Sequence, residues 1–159
     1  MHITSEVPEL LPHTVGRAIA GLPEALGYSV VVKPLRYRER PHLSAWTDFD
    51  ERTITLQVPE PFFPFGEVIP FGARRRPGRS MRFIWLTEGV TFRTRRQVLR
   101  YLYCNEWMHW YLKERLGRKS RAETACDRFA LRNYRRRAVT EADAEAALKP
   151  DPVAPRSRS

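Results

Sequence analysis

The chain has 159 residues, a formal net charge of +10 at pH 7 and a pI near 10.3. Its 42% hydrophobic and 11% aromatic content is that of a folded core and excludes a wholly disordered chain. The basic balance favours an acidic partner, nucleic acid above all, although an excess of Arg over Lys also suits a GC-rich coding bias. No apolar run approaches the length of a membrane span and nothing at the N-terminus reads as a signal peptide. A cytoplasmic protein with no membrane partner is therefore expected, its Cys104 and Cys126 reduced.

Residues 1–13 carry Pro8 and Pro12 and read as irregular. Thr14 caps a short predicted helix from Val15 to Leu26, weakened by Gly21 and Pro23 and closed by Gly27. Tyr28 to Arg38 is β-branched and aromatic, and Pro34 within it demands an edge position or a bulge. Leu43 to Phe49 and the alternating Thr53 to Val58 flank Asp50-Glu51-Arg52, which reads as the turn of a hairpin. Residues 59–80 bring four prolines before residue 71, four Phe and a basic cluster, Arg74, Arg75, Arg76 and Arg79. They read as a long aromatic loop with a positive tip, either functional or a flap packing its Phe residues on the core. Met81 to Thr87 is a predicted strand.

Thr94 and Gln97 form a capping box at the start of a long helix that ends at Gly117. From Val98 to Leu112 only Arg100, Asn105, Glu106 and His109 are polar, so this helix is buried. Buried Glu and His side chains must be paired or coordinated, and Asn105, Glu106 and His109 fall on neighbouring faces. Ser120 opens a second long helix containing Glu123, Cys126 and Asp127, and Thr140 opens a short acidic one. Residues 149–159, rich in Pro, Arg and Ser, read as a disordered tail beyond a single domain at 1–148. The order of elements predicts an α+β fold, a small mixed or antiparallel sheet packed on the buried helix and the second long helix.

Asn-Glu-Trp-Met-His at 105–109 differs at one position from the H-E-x-x-H helix of zinc peptidases. With Glu123 and Asp127 following in order, the chain resembles the minimal zincin-like metallopeptidases, the SprT-like and IrrE-type proteins. The resemblance covers mainly residues 81–134 and more loosely the hairpin at 43–58. It implies a zincin-like fold, a zinc cofactor and a peptide or protein substrate. It places Glu106 as general base, His109 as second metal ligand, Glu123 as third and Asp127 as the supporting acid. Asn105 then stands at the first ligand position, where its neutral amide is a weak donor for zinc. In an unbroken site the metal lowers the pKa of a bound water and Glu106 takes its proton. The strand from Thr53 to Val58, if at the sheet edge, would pair with an extended peptide.

Cys126, three residues from Glu123 on the same helix face, is a candidate replacement ligand, whereas Cys104 is turned about 100° from Asn105. His2, His13 and His42 are the other histidines. Each of these residues also has a purely structural reading. Ser120 and Glu123 fit a capping box, His109 and Glu106 fit a buried hydrogen-bonded pair, and Cys126 fits a small apolar core residue. Trp107, Trp110, Tyr103 and Tyr111 fit a core better than a substrate platform.

Two functional readings follow. One is a metallopeptidase relative, either active with altered ligands or catalytically inactive. The other is a non-catalytic nucleic-acid- or protein-binding module. In the second, Arg132, Arg135, Arg136 and Arg137 would join the loop arginines as a phosphate-binding surface if the two segments meet in space.

Overall fold

The valine run of Ser29–Leu35 (β2) forms the second strand of a four-stranded sheet. Buried on alternate positions, it pairs in parallel with Ile3–Ser5 (β1) on one side and Thr53–Pro59 (β4) on the other. Ser44–Asp48 (β3) pairs antiparallel with β4 and completes the order β1-β2-β4-β3. The amide of Val30 donates toward β1, and alternation puts the nitrogen of Pro34 on the same side, past Ser5 where β1 has ended. Proline is therefore accommodated without losing a ladder hydrogen bond. The computed structural model describes residues 1–75, 83–120 and 122–149.

Several expectations are corrected here. A strand, β1, lies within the stretch read as irregular, and the first helix is Pro12–Ala18 (α1), started by a proline in its first turn rather than capped by Thr14. It stops before Gly21, whose φ of +84° a side chain rarely adopts. The segment at 59–80 is no long loop. Phe65–Arg75 (β5) and Phe83–Phe92 (β6) form a two-stranded antiparallel sheet, with a bulge between Pro70 and Gly72. A bulge is one of the few places a strand tolerates proline. Arg76, Arg79, the start of the strand predicted at Met81 and the tail from Pro150 lie outside the described residues.

Thr94 accepts the Gln97 amide at 3.2 Å and starts Arg95–Trp110 (α2), while the Gln97 side chain reaches back to the Arg93 amide at 2.7 Å. The helix continues as a wider π-helical turn, Tyr111–Arg115, and ends at Gly117 with φ +61°. Glu123–Asn133 (α3) packs along α2 and against β5, and Glu141–Leu148 (α4) packs on α3. Thr140 opens α4 as expected, and it does so through a capping box with Asp143, its amide donating to Asp143 at 2.9 Å.

The largest buried side chains include Trp107, Tyr103, Phe92 and Phe129, so the aromatics of α2 are core. Trp107 stacks on Tyr111 and donates to the Glu24 carbonyl, and Tyr103 donates to that of Pro23. The architecture is thus α+β, a mixed sheet with a second antiparallel one, packed against helices. No helix among the described residues is long and apolar enough to cross a membrane.

Candidate functional site

A cavity of about 630 Å³ opens between β3, α2 and the start of α3. Ser44, Trp46 and Thr47 of β3 form one wall, and Tyr101, Asn105, Glu106 and His109 of α2 form the floor. Glu123 and Asp127 of α3 face them. Helical spacing explains the floor: residues 101, 105 and 109 repeat every four positions and share one face. The fold therefore brings Asn105, Glu106, His109, Glu123 and Asp127 to one place.

Glu106 is 7% exposed and accepts the Thr47 hydroxyl at 2.7 Å. Burial raises its carboxyl to about 7; the bond from Thr47 works against the shift, while Glu123 and Asp127 add to it. A carboxyl at that value exchanges protons near neutrality, the property of a general acid or base. Asp127 is raised to about 6, mostly by burial, against bonds donated by Tyr101 at 3.0 Å and by Asn105 at 2.8 Å. His109 Nε2 lies 3.4 Å from Glu123 Oε2. Glu123 is the first residue of α3, the preceding Ala122 has φ +43° and no side chain caps the helix. The Ser120–Glu123 capping box is thus not formed, and neither is a His109–Glu106 pair: Glu106 binds Thr47 and His109 faces Glu123.

Zinc in catalytic sites takes three protein ligands and a water. Two strong donors, His109 and Glu123, stand together here. The amide nitrogen of Asn105, the residue that the resemblance puts at the first ligand position, is committed to Asp127. Cys126 is fully buried in the hydrophobic core and does not line the cavity. Burial, with Glu123, Glu106 and Asp127 nearby, pushes its thiol up and away from the thiolate that binds metal. Cys104 is also buried, held up to about 12, and no disulfide joins the two. His2, His13 and His42 are exposed and none lines the cavity. Among the described residues, no group of three or more His, Cys, Asp or Glu side chains is placed to hold a metal ion. The described residues, as placed, therefore do not complete a zinc site.

Two members of the site were not picked from the sequence. Tyr101 carries a usable signal, since it lies one turn before Asn105 on the same face. Thr47 carries none, because its contact with Glu106 joins an edge strand to a helix 59 positions away. The strand beside the cavity is β3, at the end of its sheet, whereas Thr53 to Val58, which could pair with a peptide only from an edge, is interior between β2 and β3.

The expected basic surface divides. Arg74 stands in the hairpin opposite Ile84, and Arg75 ends β5. Arg132 donates to the Ala146 carbonyl, and Arg136 pairs with Asp143 at 2.6 Å. Arg135, Arg136 and Arg137 line a separate cavity together with Arg96 and Arg100, and among the described residues no hairpin arginine lines it. Compared with protein-family models, curated proteins and solved structures, the chain matches none.

Proposed function

We propose that this chain is a zincin-like, metallopeptidase-related protein that has lost catalysis and binds extended peptide segments in the cavity beside β3. The observation that carries this reading is the 2.8 Å bond from the Asn105 amide to Asp127. That bond holds an amide at the first ligand position, where its neutral carbonyl oxygen is a weak donor for zinc. His109 Nε2 lies 3.4 Å from Glu123 Oε2. Zinc, if supplied, meets two strong donors, and its affinity falls by orders of magnitude relative to a complete site.

Peptide binding is supported by the surroundings. An edge strand offers unpaired backbone groups to an incoming strand. Trp46, 43% exposed on β3, gives an apolar surface at the cavity wall. Glu106 near neutrality and Asp127 supply acceptors for a peptide's N–H groups or basic side chains.

The test uses an unfolded protein substrate with added zinc, with and without a chelator, and Glu106→Gln as control. The expected result is no chelator-sensitive cleavage, with peptide titration changing tryptophan fluorescence in wild type and not in Trp46→Phe. Chelator-sensitive cleavage that disappears in Glu106→Gln would overturn the reading and make the protein a zinc peptidase with altered ligands.

A further inference from the structure

Arg100 is the most deeply buried cation of α2, 5% exposed, yet its recorded partners are neutral carbonyl oxygens. Nε donates to Tyr134 at 2.7 Å, Nη1 to Ala18 and Ala20 at 2.9 Å each, and Nη2 to Arg136. A buried guanidinium is ordinarily offset by a carboxylate. Here the neighbours add charge of the same sign. Arg96 lies one turn earlier on α2, and burial together with Arg96 lowers the proton affinity of Arg100.

These two residues form one wall of a cavity of about 530 Å³, and Arg135, Arg136 and Arg137 form the opposite one. Among the described residues, no Asp or Glu lines it. Of the five arginines, Arg136 alone has a carboxylate partner, Asp143, among the described residues. Arg96 is the second residue of α2, at the positive end of the helix dipole, and the first turn contains no acidic residue. Like charges collected in a concavity cost stability unless an anion occupies it.

The walls are held together by construction. A Cβ on Gly21 would lie 1.9 Å from the Arg137 carbonyl oxygen, and the Val139 amide donates to Gly21 at 2.9 Å. Only glycine allows the chain after α1 to approach the chain after α3 so closely. Arg96 and Asn105 lie about 180° apart around α2, so this cavity and the one beside β3 are on opposite faces of the helix.

We infer that the arginine cavity behind α2 is a binding site for a phosphate group. Guanidinium forks bind phosphate oxygens two at a time, and the α2 N-terminus adds backbone N–H donors. The phosphate belongs either to a free nucleotide or to a nucleic-acid strand. The site is independent of the peptide-binding reading and stands or falls without it.

Calorimetric titrations at low salt use pyrophosphate, ATP and a single-stranded oligonucleotide with and without a 5′ phosphate. Arg96→Gln and Arg137→Gln replace exposed side chains and leave the fold intact, which circular dichroism checks. Each is expected to weaken binding about tenfold or more. Arg40→Gln, on an exposed residue outside the cavity, leaves it unchanged. Binding of pyrophosphate and ATP without the oligonucleotide identifies a free nucleotide. Oligonucleotide binding that pyrophosphate displaces identifies a strand. No binding of any probe overturns the proposal, as does equal weakening by Arg40→Gln, which would show diffuse attraction to the whole basic chain.

Discussion

Glu106 is held in the fold at a cost. Its carboxyl is raised from an ordinary 4.5 to about 7, with burial the largest cause and the Thr47 bond only a partial offset. A folded value above the unfolded one means the protonated form suits the fold. That contribution is complete below about 4.5 and is lost as pH rises through about 7. Glu106→Gln keeps the shape and the bond from Thr47 but never ionises. It is expected to stabilise the protein at pH 8 by up to about 3 kcal/mol, and by much less at pH 5. Urea unfolding at the two pH values measures this, and an equal difference at both contradicts it. Asp127 behaves in the same sense at a lower pH, raised to about 6. Both carboxyls are thus placed to exchange protons near neutrality, and in the proposed reading Asn105 withholds a metal ligand beside them.

Helix ends decide how the elements meet. Thr140 and Asp143 close a capping box on α4, and Asp143 also pairs with Arg136. Burial of Asp143 is the largest single cause and acts to raise its pKa. The bonds from Thr140 and Arg136 together outweigh it and hold the carboxyl below its ordinary 3.8. The resulting stability is present above about 3.8 and is lost as pH falls through the folded value. Asp143→Ala is expected to cost about 1 kcal/mol near neutrality, a deficit that shrinks in acid; thermal melts at pH 7 and pH 3 check it. These ends were legible where a cap residue and an apolar pattern coincided, at Thr94 and Thr140. The β3–β4 hairpin was legible for the same reason: Asp48 accepts the amides of Asp50 and Glu51 at the turn expected there. Local chemistry misled at 65–75, where prolines that signal a loop sit before a strand or at its bulge. It misled again at Ser120, because the start of α3 is set by packing against α2 rather than by a cap. The candidate site was legible along α2 and α3, where spacing determines faces, but its third wall, β3, required the fold.

At the scale of the whole molecule, much of the positive charge is structural. Arg128 donates to Phe71 of β5 and Ala147 of α4, and Arg132 to Ala146, so α3 fastens the hairpin and the last helix through arginine-to-carbonyl bonds. Arg95 pairs with Glu60 and Glu9, and Arg115 with Glu141. Five arginines line the cavity behind α2, and none of them lines the cavity beside β3. The central helix thus divides the molecule into an acidic cavity on one face and a basic one on the other. On the acidic face, the proposed reading has Asn105 closing a metal site. Zinc affinity and bound-metal content of the wild type and Asn105→His test this most directly. Stoichiometric zinc in Asn105→His, lost again on adding His109→Ala, with little in the wild type, is the predicted result. Equal zinc in the wild type and Asn105→His, or none in either, would contradict it.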